Sequence, residues 1–334
     1  MSKTLAIVVP AHNEAEVIDV FHARLAAVLV GVAADATVVY VDDGSTDATW
    51  QHLASLAEKD RRVTALRLSR NFGKEAALTA GLDHVDADAV IVIDADLQDP
   101  PELIPDMLAK AEEGYDVVYG SRSSRAGETV AKRATSAAFY RVMNRLANVP
   151  VPRDTGDFRL MSRRAVEAVR ELRERQRFMK GIFAWIGYRQ VALLYDRDPR
   201  KAGETKWNYW RLTNLAVEGI TSFSTAPLRM ASWVGACSAL VAFAYGLWIF
   251  VKASIWGDPV HGYPTLMVVI LFLGGVQLLA LGVIGEYIGR TYMEAKRRPL
   301  YFVEARLGGG SDVAPASRAS LDRQRDAKKP VPGE

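Results

Sequence analysis

Three carboxylates and an amide stand together in VIVIDADLQDPPE, residues 90–102, where an apolar run breaks into Asp94, Asp96, Gln98 and Asp99. Asp94 and Asp96 flank one alanine, so in an extended chain their side chains point to the same side. Two close anions repel unless a cation or a proton separates them, and hard oxygen ligands suit Mg2+ or Mn2+. Gln98 adds an amide oxygen in the same register, whereas Asp99, out of phase and followed by Pro100, reads as the turn. An acid pair of this spacing is common in solvated turns. At the carboxyl end of a buried strand the metal reading gains, because Mg2+ usually binds through one or two carboxylates plus substrate phosphates. The implied ligand is a diphosphate.

The elements that must position these acids are legible as short β-branched runs separated by helical stretches. LAIVVP, ATVVYVDDGS, VTALRLS and DAVIVID alternate with helix-like segments such as GKEAALTAGLDHV. Strands alternating with helices of this length predict βαβ units and a mostly parallel sheet covered on both faces. In such sheets the ligand crevice lies beyond the carboxyl ends of the strands. Glu14, the pair Asp42 and Asp43, and the pair Asp94 and Asp96 all fall just past such an end. Farther on, DTGDFRLMSRRAVEAV reads as a turn, a short strand and a helix, and the charged residues from Arg170 to Arg177 read as a solvated helix end.

The second half of the chain changes character. WNYWRLTNLAVEGITSF, residues 207–223, sets aromatic and aliphatic residues along one face beside basic ones, the pattern of an interfacial helix on a bilayer. Two charge-free apolar runs follow, Ala231 to Val251 and Pro264 to Gly285, each meeting the roughly 20 residues needed to span hydrocarbon and giving spans of about 231–251 and 264–288. Arg229 precedes the pair and Arg290, Lys296, Arg297 and Arg298 follow it, while the connector carries only Lys252. The positive-inside rule then places both flanks in the cytoplasm. Glycines in the second run allow close helix approach and a homo-oligomer. Four regions result: residues 1–206, a soluble domain; 207–229, interfacial helices; 230–289, a transmembrane hairpin; 290–334, a basic juxtamembrane segment and disordered tail.

Composition narrows the function classes. A formal net charge of +3, with no basic stripe interleaved with aromatics, argues against nucleic acid. One cysteine, Cys237, excludes an internal disulfide framework and CxxC zinc sites. The first apolar run is too short for a signal peptide, which keeps the first domain in the cytoplasm. No Walker loop or GxGxxG sequence occurs, so kinase and dehydrogenase readings lack support.

VVPAHNE, VDDGSTD, RNFGKEAAL, DADLQDPPE, GSR and DTGDFRLMSR, in that order, resemble the nucleotide-sugar domain of family 2 glycosyltransferases with the GT-A fold. RKAGETKW and the following hairpin resemble the polyprenyl-phosphate branch of that family, which includes dolichol-phosphate mannose synthases and bactoprenol glucosyltransferases. The resemblance implies that Pro10, His12 and Glu14 contact the nucleoside and that Val41 and Asp43 hold base and ribose. It assigns Asp94, Ala95, Asp96 and Gln98 to the donor and its metal, and Arg122 to the diphosphate. Arg200, Lys201 and Lys206 match the basic loop closing over nucleotide and acceptor phosphates. Asp157 matches the acid that inverting members place near the acceptor, with Asp154 its rival. Because a phosphate monoester is already largely dianionic at neutral pH, Asp157 need not act as a base and can instead position groups.

The expected protein is thus an α/β GT-A domain with C-terminal interfacial helices and a two-helix hairpin. It would be a multi-pass protein of a bacterial-type plasma membrane, with catalytic domain and both termini cytoplasmic. The expected reaction moves a hexose, glucose from UDP-glucose, to undecaprenyl phosphate with Mg2+ or Mn2+. A lipid-sugar flippase is the expected partner. The rival readings are a processive polysaccharide synthase, disfavoured because RQRFMKGIFAW lacks QxxRW, and a non-catalytic scaffold that binds nucleotide sugars.

Overall fold

The structure, a computed structural model, describes residues 4–32, 34–122, 155–175, 177, 179–195, 226–256 and 262–309. It divides into two units: an α/β body that includes residues 299–309, and a helical hairpin. The body is built on an eight-stranded sheet in the order β7-β5-β6-β4-β1-β2-β3-β8. Its strands are β1 (Thr4–Ala11), β2 (Asp35–Asp42), β3 (Val63–Leu68), β4 (Ala89–Val92), β5 (Val117–Arg122), β6 (Thr155–Ser162), β7 (Gln190–Tyr195) and β8 (Val303–Gly308). The predicted βαβ units are present: β3, β2, β1 and β4 run parallel, joined through α1 (Ile18–Val30), α2 (Thr49–Lys59) and α3 (Lys74–Asp83). β1 lies between β2 and β4, so the chain reverses its direction of travel across the sheet there. Such a switch point opens a crevice at the carboxyl ends of the neighbouring strands.

Burial explains the continuous apolar runs. Leu5 to Val9 on β1 and Val90 to Ile93 around β4 are each 1% exposed or less, since helices cover both faces. Phe21 and Leu25 of α1 meet Tyr40 in this core, with the Phe21 and Tyr40 rings edge to face. Close approach of α3 to β1 depends on Gly81, where a Cβ would stand 2.2 Å from Val8 Cγ1.

Beyond β4 the sheet becomes mixed. β6 is antiparallel to both β4 and β5, while β7 is parallel to β5. This portion carries α4 (Ile104–Glu112), α5 (Arg163–Glu171) and the short α6 (Met179–Trp185). The arginines at the end of α5 and beyond it are not the solvated end expected from their charge. Arg170 donates to the carbonyls of Leu82 and Val85, Arg173 grips both oxygens of Asp83, and Arg177 is 6% exposed. Arg170 thus caps the carboxyl end of α3, where free carbonyls attract cations, while Arg177 donates to Leu172 O.

The segment after the hairpin also departs from expectation. Instead of continuing as a juxtamembrane tail, residues 303–308 form β8, which adds antiparallel to β3 and closes that sheet edge. Ser69 N–H donates to Phe302 O, the Phe72 and Phe302 rings lie 6.3 Å apart, and Tyr301 Oη donates to Asp83.

The second unit contains α7 (Ala226–Trp256) and α8 (Tyr263–Ala295), of 31 and 33 residues. Each has a stretch long and apolar enough to cross a membrane, Met230–Trp248 and Phe272–Ala295. Large apolar side chains such as Trp233, Leu240, Phe243 and Leu278 are more than 70% exposed, as a lipid-facing surface requires. α7 continues through Lys252 to Trp256, so the start of the expected connector is helical, and the Lys252 ammonium sits over the Trp248 ring. The expected interfacial segment 207–223, Asp154, and the basic residues Arg200, Lys201 and Lys206 lie outside the described residues.

Candidate active site

A cleft of about 290 Å3 opens where the switch point requires it, lined by Pro10, Ala11, His12, Glu14, Asp43, Asn71, Gly73, Lys74, Ala77, Asp94, Ala95 and Asp96. Seven residues singled out in the sequence meet here: Pro10, His12, Glu14, Asp43, Asp94, Ala95 and Asp96. Asn71, Gly73 and Lys74 join them from the β3–α3 loop. That loop also follows the carboxyl end of a parallel strand, so the topological rule that picks out the acids picks out NFGK too.

One wall is knit from loops after β1, β2 and β3. His12 Nδ1 lies 2.9 Å from Asp43 O. A carbonyl only accepts, so Nδ1 carries the proton and Nε2 is left as the acceptor for Asn71 Nδ2, 3.1 Å away. Asn13, at φ 56°, donates its N–H to Ser45 Oγ and accepts from Thr46 N–H at its amide oxygen. Asp43 accepts from Phe72 N–H at 2.7 Å and Gly73 N–H at 2.9 Å, so its carboxylate shapes the wall rather than standing free. Gly44 makes this approach possible: at φ +62°, a Cβ there would lie 2.4 Å from the carbonyl carbon of Arg70 and 2.5 Å from Asn71 N. Val41 is fully buried in β2 and its side chain faces Gly81, not the cleft.

The floor carries the acids. β4 ends at Val92, so Asp94 and Asp96 share the cleft through a turn rather than through extended alternation. Leu97 takes φ +60°, an uncommon backbone state for a side-chain-bearing residue. Gln98 consequently leaves the register assumed for it: it is 7% exposed, does not line the cleft, and its N–H donates to Asp96 Oδ1 at 3.1 Å. Asp99 is more than a turn residue, being 2% exposed and bonded by Tyr195 Oη. Arg122 ends β5 opposite Tyr195, and its side chain lies outside the described residues.

Lys74, the first residue of α3, joins this floor to β6. Its Nζ lies 2.7 Å from Asp94 Oδ2 and 2.5 Å from Asp157 Oδ2. Asp157 is thus not the partner of Arg159 through its carboxylate. Arg159 instead donates to the backbone carbonyls of Gly156 and Asp157 and lies 3.7 Å over the Phe183 ring, fixing the strand that presents Asp157. Burial holds Arg159 down to about 10, still protonated at neutral pH.

The electrostatics divide the acids. Burial penalises the Asp157 charge, but Lys74, Lys180 and Arg159 outweigh it and hold its carboxyl below the usual range. Asp94 is raised by burial, with Lys74 partly offsetting. Lys74 is itself held protonated, because its two carboxylate partners outweigh burial. Burial and the charge of Asp157 push Glu75 up to about 7. Oδ1 of Asp94, Oε2 of Glu75, and Nε and Nη2 of Arg177 are buried without a hydrogen-bond partner. Unpaired buried polar atoms are costly, and of these residues Asp94 lines the cleft, where a ligand can complete it.

Whether a divalent cation fits can be judged from these groups. Among the described residues no cluster of three or more His, Cys, Asp or Glu forms a ready-made cage. The orphaned Asp94 Oδ1 beside Asp96 nevertheless offers the oxygen donors of a site that substrate phosphates complete.

Comparison with known proteins agrees with this architecture. Residues 6–170 match the model of glycosyl transferase family 2, and residues 226–291 match that of the GtrB C-terminal hairpin. An uncharacterized glycosyltransferase of Synechocystis is 50% identical over 303 residues, covering 91% of this chain and 95% of the relative. A prophage bactoprenol glucosyl transferase homolog of Escherichia coli is 47% identical over 300 residues, covering 90% of this chain and 98% of the relative. Among solved structures, glucosyl-3-phosphoglycerate synthase from Mycobacterium tuberculosis is 21% identical with a TM-score of 0.44, covering 66% of this chain and 78% of that one.

Proposed function

The chain belongs to the family 2 glycosyltransferases, and from that premise we propose that it moves glucose from UDP-glucose to undecaprenyl phosphate, inverting the anomeric centre. One observation carries the proposal. A carboxylate-lined cleft at the carboxyl ends of parallel strands occurs in the same chain as a hairpin with apolar stretches of 19 and 24 residues. A soluble donor needs the first and a membrane-embedded acceptor explains the second. The choice of glucose and bactoprenol follows the name of the relative that is 47% identical over 90% of this chain.

In the proposed reaction an oxygen of the lipid phosphate attacks the anomeric carbon from the face opposite the diphosphate. The bond to the diphosphate oxygen breaks, UDP leaves with the electron pair, and the product is a polyprenyl monophosphosugar. A single displacement inverts the centre. The wall of His12, Asn71 and Asp43 receives the nucleoside. Asp94 and Asp96 would hold Mg2+ or Mn2+, which supplies charge neutralisation to the departing diphosphate. Asp157, held ionised, is a weak base at neutral pH, and a largely dianionic phosphate needs none. Its part is therefore to position the acceptor side of the cleft. Arg200, Lys201 and Lys206 are proposed to grip the acceptor phosphate. Arg290 near the end of α8 and Lys296, Arg297 and Arg298 just past it support a cytoplasmic placement for both termini.

The test is direct. Detergent-solubilised full-length protein with Mg2+, undecaprenyl phosphate and radiolabelled UDP-glucose should move label into an organic-extractable lipid. If label stays aqueous with UDP-glucose, and also with UDP-N-acetylglucosamine and GDP-mannose, the proposal fails.

A further inference from the structure

Lys74 is one cation shared by two acids from different parts of the reaction. Asp94 belongs to the turn after β4 that lines the cleft, and Asp157 belongs to β6, with the donor and acceptor roles proposed above. A bridge sealed in the core would be closed to a ligand. This one opens into the cleft, with the side chains of Lys74, Asp94 and Asp157 exposed by 43%, 22% and 15%. Within it, Asp94 gives Lys74 only one oxygen, while Oδ1 is buried and unpartnered. Asp94 and Asp157 repel each other, and Lys74 is the cation that bonds both. A divalent cation and an ammonium on the same carboxylate repel one another. They compete for Asp94, whereas Asp157 offers Lys74 a second anchor that the divalent cation does not need.

We propose that Lys74 is a positioning residue that works as a displaceable cation. It compensates Asp94 while the cleft lacks a metal, yields that carboxylate when a divalent cation binds, and remains on Asp157 to hold it across the cleft. The donor-side site and the acceptor-side acid are thereby linked through one side chain. This rests on the reading of Asp94 and Asp96 as the divalent-cation site.

The experiment measures Mn2+ binding to the full-length protein in detergent, without nucleotide, from the free-ion paramagnetic resonance signal. Lys74→Met removes the competitor and should bind Mn2+ roughly tenfold more tightly, within the usual range for coupling between two ligands. Its turnover at saturating Mn2+ and donor should fall, because Asp157 loses its holder. Lys74→Arg, which keeps the charge, should bind Mn2+ within about twofold of wild type. General damage to the site would weaken both binding and turnover, so opposite movement is the signature. Lys74→Gln, a polar neutral replacement, provides the same reading if the Met variant does not fold. A folded Met or Gln variant that binds Mn2+ no more tightly than wild type overturns the role of Lys74. Wild-type protein that binds no Mn2+, even with UDP added, overturns the divalent-cation reading beneath it.

Discussion

The two sides of the cleft solve opposite problems. In the wall made by the loops after β1, β2 and β3, three cleft-side residues find their partners within the protein: His12 in Asp43 O, Asn13 in Ser45 and Thr46, and both oxygens of Asp43 in Phe72 and Gly73. The floor around Asp94, Glu75 and Asp157 gathers charges from several elements and leaves buried atoms of Asp94 and Glu75 without partners. A wall complete in itself is preorganised and can read a shape with little rearrangement. A floor incomplete in itself is where bound charge does most, because poorly solvated groups interact strongly with it. The contrast separates residues whose loss damages the architecture from residues whose loss damages the chemistry.

The strongest test of that contrast lies on the floor. Asp94→Asn keeps the shape and removes a buried charge, so turnover should fall by roughly 10²–10³, the range for loss of one electrostatic stabiliser of a transition state. Thermal stability should stay level or rise, since burial disfavours the Asp94 charge more than Lys74 compensates it and Lys74 keeps Asp157 as a partner. Radiolabel transfer and a melting curve on the same preparation check both halves, and a variant that melts early would break the distinction. On the wall the expected pattern is reversed. Gly44→Ala would force φ +62° on an L-residue and drive a Cβ to 2.4 Å from the backbone of Arg70. The conformation alone costs about 1–2 kcal/mol, and separating the two loops adds to it. Lowered melting temperature together with a raised donor KM is the expected result.

What the sequence made visible follows the same division. β1, β2 and β3 were readable because each is a buried apolar run ending at a loop, and parallel topology alone brings their ends together. Asp94 and Asp96 were placed in one cleft from strand alternation, but the strand ends at Val92 and a turn through Leu97 does the work, turning Gln98 away. The bridge from Lys74 to Asp157 spans 83 residues and depends on how β6 enters the sheet, which periodicity does not encode. β8 was hidden for a related reason. It is a short, mostly exposed edge strand lying past two apolar helices, and its partner β3 is distant in sequence.

Glu75 sharpens the comparison through pH. Its carboxyl, at 4.5 when free, is pushed up to about 7 by burial and by Asp157. The folded state therefore holds a proton that the unfolded chain releases earlier. Glu75 contributes stability fully below about pH 4.5, and this is lost as pH rises through about 7. A shift of that size corresponds to about 3 kcal/mol across the window. Glu75→Gln cannot titrate, so its melting temperature between pH 5 and 8 should be flatter than that of wild type by that contribution. Equal slopes would show that the charge around Glu75 is already compensated.

The smallest effect belongs to His12. Its ring is held by Asp43 O and leaves Nε2 to Asn71, so removing it deletes one or two hydrogen bonds at the rim of a wall otherwise closed by Asp43, Asn13 and Gly44. A neutral hydrogen bond contributes about 0.5–1.5 kcal/mol, which makes the expected change in His12→Ala a donor KM raised roughly three- to tenfold. Turnover at saturating donor should barely move, because nothing on the floor changes. If turnover fell as far as in Asp94→Asn, His12 would be acting on the reacting groups, and the wall could no longer be assigned to recognition alone.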